Sequence, residues 1–239
     1  MQTRSTGIVV GLGETGSPLL SILRAEYGDE VAGYDPKADG YNEIPTKWYS
    51  FLNICIPYTK KFFQQVRTYQ MIFRPTVTIV HSTVPVGTTD KLGDAVHAPV
   101  LGRHMRMRED MLTYAKWIGG DKKLAGMAAV FLEKAKFHCK VVSRATETEL
   151  FKLMCLAKYG MSIAFADYQA KLCKKYGICF DDVLQWDMNY NDGVMPSHKR
   201  PLITPPMDGK IGGHCVIPGT KLLNKQFPNA ILREVIRHG

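Results

Sequence analysis

The segment from Thr6 to Asp35 reads TGIVVGLGETGSPLLSILRAEYGDEVAGYD, and it decides the fold of the N-terminal part of the chain. Gly7 to Gly11 is a short, β-branched apolar run, which is typical of a strand buried on both faces. Leucine and isoleucine at helical spacing follow, and Val31 to Tyr34 indicates a second strand that ends at Asp35. Strand, glycine turn, helix, strand and acid in this order form the dinucleotide-binding fingerprint.

The three glycines of this turn have separate roles in the fingerprint. Gly11 permits a tight turn, Gly13 lets the backbone approach the pyrophosphate, and Gly16 lets the helix pack closely on the strand. Asp35 lies where an acid would accept the ribose hydroxyls, and this favours NAD over NADP because a carboxylate repels a 2′-phosphate. The alternative is a purely structural turn, since a glycine triplet alone is common in turns.

The composition predicts a globular protein that handles small anionic molecules. The 239 residues are 45% hydrophobic and 22% charged, and no apolar run approaches the roughly 18 residues of a membrane helix. With no signal-like segment before the first strand, we expect a cytoplasmic protein and no membrane partner. The net charge of +9 comes from scattered lysines and arginines without a nucleic-acid motif, so an anionic cofactor and substrate explain it better than nucleic acid.

The six cysteines form no CxxC pair and no zinc spacing, so no metal site is predicted. We expect all of them except Cys215 to be small core residues, because their neighbours are apolar or helical in pattern.

Residues 1–144 are predicted to form an α/β domain with a doubly wound Rossmann-type sheet that binds NAD. Further strands are expected over 51–56, 77–81, 96–101, 115–118 and 138–142, and helices over 59–69 and 121–135, with a short helix after Thr89. The linker to the next domain is expected at 143–145.

Residues 145–239 are predicted to form a mostly helical second domain. One long helix spans 146–176, a short one spans 181–188, and a loop rich in proline and glycine over 189–213 precedes a helical tail. The long helix is apolar around its middle and needs cover on several sides, either from its own domain or from a second subunit. We expect a homodimer that forms through this helix.

A second candidate site is the segment KIGGHCV at 210–216, within and just after this loop. Cys215 follows two glycines, so its thiol has open approach, as nucleophilic attack on an aldehyde requires. The alternative is a buried structural cysteine. His214 is either a base or orienting group, or a structural histidine.

Four segments in this order resemble the UDP-glucose/GDP-mannose dehydrogenase family. They are GLGETG at 11–16, HSTVPVGTT at 81–89, ETELFKLM at 147–154 and GGHC at 212–215. The resemblance spans nearly the whole chain, and its second and fourth segments are the most specific. It implies an enzyme that uses NAD to remove two hydrides from the C6 hydroxyl of a nucleotide sugar.

The resemblance also implies roles for individual residues. Cys215 would hold the aldehyde as a thiohemiacetal and then a thioester, and Lys152 would stabilise the oxyanion. The residues expected to bind the cofactor are Gly11, Gly13, Glu14, Thr15, Gly16, Asp35, Pro57 and Thr83. Those expected to contact substrate are Arg103, His104, Gly212 and Gly213. For the basic stretch at 103–108, the alternative is a solvated surface.

The chain departs from the family at three catalytic positions. The family has a glutamate with acid/base and hydrolytic roles where this chain has Val100. It has an asparagine that helps to hold the oxyanion where this chain has Leu156, and an aspartate that assists proton transfer where this chain has Gly219. The sequence also stops at Gly239, before the family's third, nucleotide-sugar-binding domain. Two hypotheses follow. The first is an active NAD-dependent oxidoreductase with a cysteine nucleophile, acting on a substrate that is smaller than a UDP-sugar or held differently. The second is a non-catalytic NAD-binding or regulatory relative.

Overall fold

The structure is a computed structural model that describes residues 4–206 and 209–239. By its internal contacts the chain divides into two compact units, one ending at Lys152 and one running from Leu153 to Gly239. The division falls inside a continuous helix, Ala145–Tyr176 (α5). The predicted domain boundary after residue 144 stays a prediction.

Among the residues that the structure describes in the first unit, seven strands form a single sheet. They are β1 (Arg4–Val10), β2 (Val31–Tyr34), β3 (Trp48–Ile54), β4 (Val77–Val80), β5 (Ala95–His97), β6 (Lys116–Gly119) and β7 (Cys139–Val142). Their spatial order is β2-β1-β3-β4-β5-β6-β7. All neighbouring pairs are parallel except β5 and β6, which are antiparallel and meet through His97 and Gly119. The chain leaves β1 on one side for β2 and returns on the other for β3, so β1 and β3 flank a topological switch point.

Helices cover both faces of the sheet. The residues of β1 alternate between two apolar clusters: Val9 lies in one cluster, and Ile8 and Val10 lie in the other. The Val9 cluster includes apolar residues of Gly16–Tyr27 (α1), Met107–Thr113 (α3) and Lys122–Lys134 (α4). The other cluster includes residues of Phe62–Phe73 (α2). This layering confirms the predicted α/β class and doubly wound sheet.

Several elements of this unit differ from the sequence-based prediction. The strand expected over 96–101 ends at His97, where Pro99, which has no backbone N–H, follows closely. Helix α3 is not predicted, because its sequence MREDMLT follows a run of basic residues without a clear apolar period. The helix expected over 59–69 begins and ends later, as α2.

In the described part of the second unit, the remainder of α5 is followed by three further α-helices. These are α6 (Phe180–Asp192), α7 (Val216–Gln226) and α8 (Ala230–Arg237). A Cβ atom on Gly160 would lie only 2.6 Å from Val235 and 2.8 Å from Val216, so this glycine lets α5 pack closely against α7 and α8. Although α5 has 32 residues, no helix in the described ranges is long and apolar enough to span a membrane.

The cysteine prediction is wrong for part of the set. Cys173 is buried and Cys55 and Cys139 are half-buried, but Cys155 and Cys179 are exposed, as is Cys215. The reason for Cys155 is that α5 is apolar on more sides than the chain itself covers, so helical apolar context does not ensure burial.

Candidate functional site

The glycine turn after β1 has the geometry that the fingerprint requires. Gly11 has φ +89°, a left-handed conformation that favours glycine, and its N–H donates to Tyr34 O at 2.9 Å. A Cβ atom on Gly16 would overlap the carbonyl oxygen of Gly11, so α1 can start this close to the turn only with glycine there. A Cβ atom on Gly13 would meet nothing within 4 Å, which leaves the backbone open to a ligand.

Asp35 lies directly beside this turn. Its Oδ2 accepts a hydrogen bond from the Leu12 N–H at 2.8 Å, and its Oδ1 accepts one from the Lys37 N–H at 2.9 Å. These two bonds fix the half-buried carboxylate at the carboxyl end of β2, next to the start of α1. Asp35 lies 24 residues after Gly11 in the sequence, but the two residues lie at the same edge of the sheet.

The start of α1 suits a phosphate group. Within α1, which is fully described, the first turn contains no acidic residue, and Thr15 forms no side-chain cap. The positive end of the helix dipole therefore favours an anion here, although the Ser17 N–H already donates to Gly13 O at 3.1 Å and Pro18 has no N–H. Glu14 is exposed and Thr15 half-buried in the turn. A dinucleotide fits these residues: the pyrophosphate at the helix start and a ribose at Asp35.

Pro57 and Thr83 lie on the loops after β3 and β4, at the same edge of the sheet. Pro57 is exposed and Thr83 half-buried. The Ser82 hydroxyl donates to Ile56 O at 2.6 Å and links the two loops. The structure thus brings both predicted residues to the crevice at the carboxyl ends of the strands, where open α/β sheets bind ligands.

Glu149 in the second turn of α5 holds the loop of the HSTVPVGTT segment. Its carboxylate accepts hydrogen bonds from Gly87 N–H at 2.6 Å, Thr89 N–H at 2.8 Å and the Thr89 hydroxyl at 2.7 Å. The side chain is fully buried, and burial raises the pKa of Glu149 although these hydrogen bonds oppose the shift. Two of the four segments that carry the family resemblance are therefore joined by one carboxylate.

Two buried histidines, His81 and His97, form hydrogen bonds at the carboxyl ends of the strands, and the sequence does not predict a role for them. His97 is 2.8 Å from the Thr148 hydroxyl through Nδ1 and 3.1 Å from Ser82 O through Nε2. Burial lowers the pKa of His97 to about 3, so it is neutral near pH 7. His81 bonds Ala98 O and the Asn53 side chain, and burial lowers its pKa well below the ordinary value. The sequence signal is weak, since each histidine follows a strand of apolar residues.

Lys152 lies one turn beyond Glu149, at the end of the first unit. Its Nζ donates to Val100 O at 2.9 Å, on the loop that follows β5. Val100 itself is buried, with 7% of its surface exposed. Its side chain supplies no acid at the position where the family has a glutamate.

The two basic candidates for substrate binding have partners in the first unit. The Arg103 guanidinium donates through Nε and Nη2 to the buried Asp110 carboxylate, both at 2.9 Å. This hydrogen bonding lowers the pKa of Asp110 to about 2. His104 Nε2 is 3.6 Å from Glu14 Oε1 on the glycine turn. The role of Arg103 and His104 in substrate binding stays a prediction.

The second unit carries the GGHC segment at the start of α7. Gly212, Gly213 and Cys215 are all exposed, and Cys215 directly precedes the helix. A Cβ atom on Gly219 would lie 2.5 Å from Leu156 Cδ1, so Leu156 fills the space beside that position. No group of three or more potential metal ligands occurs in the described parts of the chain.

Comparison with known proteins identifies related sequences among nucleotide-sugar dehydrogenases. The UDP-N-acetyl-D-mannosamine dehydrogenase of Methanococcus vannielii is 24% identical over 261 aligned positions, which cover 87% of this chain. The chain spans 58% of the length of that relative. No protein-family model matches the chain.

Solved structures share the fold. The structure of the UDP-D-ManNAc dehydrogenase from Pyrococcus horikoshii has a TM-score of 0.82 at 22% identity, covering 98% of this chain and 68% of that one. A 3-hydroxyisobutyrate dehydrogenase from Mycobacterium tuberculosis has a TM-score of 0.73 at 17% identity, covering 98% and 92%. With the sequence relatives, these matches confirm the resemblance that the four segments indicate.

The contacts of Glu149 predict that this side chain stabilises the first unit. Glu149→Ala leaves two backbone N–H groups and a hydroxyl without their acceptor, so we expect the free energy of unfolding to fall by about 3 kcal/mol. Urea denaturation measures the change. Glu26→Ala, on the exposed side of α1, is the matched control and should change stability by less than about 0.5 kcal/mol. Equal stability of the two variants would contradict the role given to Glu149.

Proposed function

We propose that the chain is part or all of an NAD-dependent dehydrogenase that oxidises an alcohol or aldehyde group of a nucleotide sugar or a similar anionic, sugar-like substrate. The observation that carries this proposal is the glycine turn with Asp35 fixed beside it at 2.8 Å from Leu12 N–H. The sequence relatives named as UDP-N-acetyl-D-mannosamine dehydrogenases support the substrate class.

The cofactor is assigned to the crevice of the first unit. When bound, NAD supplies the hydride acceptor. Backbone N–H groups of the glycine turn and the positive end of the α1 dipole hold its pyrophosphate, with Gly13 giving the backbone room for close approach. The Asp35 carboxylate accepts hydrogen bonds from the adenosine ribose hydroxyls through the lone pairs that are not used by its two bonds to backbone N–H groups. Pro57 and Thr83 line the remainder of the cofactor site.

The catalytic roles proposed for this chain belong to two side chains. The Cys215 thiolate attacks the aldehyde carbon, and the aldehyde oxygen becomes an oxyanion. The Lys152 ammonium, oriented by Val100 O, stabilises that negative charge. Arg103, His104 and the flexible backbone of Gly212 and Gly213 are proposed to contact the substrate.

The three departures from the family affect one step in particular. Val100 and Leu156 are buried apolar side chains, and Leu156 occupies the space beside Gly219. None of these positions offers a group that activates water, so hydrolysis of a Cys215 thioester is expected to be slow. The same departures favour the alternative, a non-catalytic relative that keeps the NAD site for binding or regulation.

The position of Asp35 predicts the cofactor preference. NADH should bind at least about tenfold more tightly than NADPH, because the carboxylate repels the 2′-phosphate. Isothermal titration of both cofactors measures this ratio. Asp35→Asn should weaken NADH binding and reduce the preference for NADH over NADPH. Asp39 is exposed in the turn that follows Asp35, and Asp39→Asn should change neither the NADH affinity nor this preference. Equal affinities in the wild type, or tighter binding of NADPH, would remove Asp35 from this role.

The catalytic proposal predicts a covalent adduct on Cys215. After incubation with NAD and UDP-N-acetylmannosamine, NADH absorbance should rise, and intact-protein mass spectrometry should show an acyl-enzyme that accumulates because hydrolysis is slow. Cys215→Ser should abolish the adduct, and Cys179→Ser, another exposed cysteine, should retain it. Tight binding of NADH without NADH formation from a panel of nucleotide sugars would instead support the non-catalytic alternative.

A homodimer through α5 is proposed from the exposed apolar residues of the second unit. Phe165, Tyr168 and Tyr176 on α5 have 60%, 56% and 70% of their surfaces exposed. With Ile231 and Val235 of α8, residues of α5 also line an apolar groove of about 520 Å³. Contiguous exposed apolar surface of this kind marks an interface.

Light scattering at micromolar concentration should therefore give about twice the chain mass of 26.8 kDa. Tyr168→Asp should shift the protein to the monomer, because it places a charge within the proposed contact. Lys122→Asp, an exposed change on α4, should not. A wild-type mass of one chain would refute the dimer.

A further inference from the structure

The short loop that carries the proposed nucleophile lies between two buried ends in the second unit. Ile211 and Val216 have 5% and 4% of their surfaces exposed, and both belong to the apolar cluster in which α7 and α8 meet. Residues 212–215 between them are exposed, and Gly213 has φ +83°, a left-handed conformation that favours glycine. Because two of these four residues are glycines, the position of Cys215 depends on how firmly the two ends are held.

A backbone hydrogen bond joins the first of these ends to the residue that follows α8. The Ile211 N–H donates to His238 O at 2.5 Å. His238 caps the C-terminal end of α8, and its side chain has 15% of its surface exposed. This bond holds Ile211 only as firmly as His238 itself is held, so the contacts of the His238 side chain also act on the loop.

The His238 ring lies between two acceptors, one on α8 and one on α5. Its Nδ1 donates to the backbone O of Glu234 at 3.0 Å, and its Nε2 is 3.4 Å from Asp167 Oδ2. A carbonyl and a carboxylate both accept hydrogen bonds, so the ring makes both contacts only with a proton on each nitrogen. Among the described residues, the charged groups beside this pair include Lys171 Nζ, 2.5 Å from Asp167 Oδ2, the Glu234 carboxylate, 4.0 Å from His238 Nδ1, and Arg237, which pairs with Glu234.

Asp167 is a buried carboxylate for which the proposed function gives no role. It lies on α5 and has 6% of its surface exposed. A Cβ atom on Gly209 would lie 3.7 Å from Asp167 Oδ1, so the backbone two residues before Ile211 passes close to this carboxylate. A buried carboxylate is costly unless hydrogen bonds and opposite charges offset the loss of water, and His238 is one of its partners. Asp167 therefore lies beside both the approach to the loop and the residue that bonds Ile211.

We propose that Asp167 and His238 are positioning residues for Cys215. The contact between their side chains fixes the end of α8 to α5, and the bond from Ile211 to His238 O transmits this restraint to the loop that carries the thiol. Neither side chain touches the substrate or the cofactor in this proposal. The restraint is stronger at acidic pH, because one of the two ring contacts requires the second proton. The significance for catalysis rests on the proposed role of Cys215.

Hydrogen–deuterium exchange of the full chain without ligands measures this restraint. The protection of the segment 209–216, corrected for the intrinsic exchange rate, is compared between variants near pH 5.5 by mass spectrometry. Asp167→Leu should lower this protection by about tenfold, as expected for the loss of one hydrogen bond to a charged group. Asp192→Asn, which changes an exposed acid at the end of α6, is the control and should leave it unchanged.

Two variants of His238 separate this role from a merely structural one. His238→Leu should lose the protection, whereas His238→Gln should retain most of it, because the glutamine N–H can donate to Asp167 without titrating. In the wild type the corrected protection should fall between pH 5.5 and pH 8.5, and in His238→Gln it should not. If Asp167→Leu does not fold in a urea denaturation test, the comparison of His238→Leu with His238→Gln decides. Equal protection in the wild type and His238→Leu, or a wild-type protection that does not respond to pH, would overturn the inference.

The same variants distinguish this inference from the proposed function. With NAD and UDP-N-acetylmannosamine, Asp167→Leu should form the Cys215 adduct about tenfold more slowly, because the thiol is less well positioned, while its affinity for NADH stays unchanged. Unchanged exchange together with adduct formation would refute the positioning role and leave the catalytic proposal standing. Altered exchange in a chain that forms no adduct would support the loop restraint and refute the catalytic proposal.

Discussion

The buried carboxylate of Glu149 is the interaction on which the crevice depends. It gathers two backbone N–H groups and one hydroxyl from the loop after β4, and this loop carries Thr83. The neighbouring Thr148 bonds His97, and Lys152 bonds the loop after β5. Because these three residues lie within two turns of one helix, the start of α5 fixes the two loops after β4 and β5 together. The rest of the site is arranged around loops that this helix holds.

The other half of the crevice is determined by the backbone. The overlap that any side chain at position 16 would make with Gly11 O forces α1 to begin directly against the turn. Asp35 then closes the arrangement through Leu12 N–H. Phosphate and ribose recognition thus require few specialised side chains, whereas the loops after β4 and β5 require a buried polar network.

Much of the fold follows from local pattern in the sequence. The strand, glycine turn and helix from Arg4 to Tyr27 and the bounds of α5 agree with prediction to within a few residues, because apolar period and turn residues act locally. The polar network does not follow, since Glu149 and its partners are about 60 residues apart and no local signal pairs them. The burial of Lys116 is also not predicted, because the pattern of an apolar strand does not indicate that a lysine within it is buried. The proposed role of Cys215 comes from its sequence motif, and the structure adds that this cysteine is exposed.

The most direct test of the central claim is a crystal structure of the chain with NADH. The account predicts the pyrophosphate within about 3 Å of backbone N–H groups of the glycine turn that precedes α1, and a ribose hydroxyl at the same distance from Asp35. It also predicts that Glu149 keeps its contacts to Gly87 and Thr89. Electron density for NADH at another edge of the sheet, or a ribose that does not contact Asp35, would contradict the account.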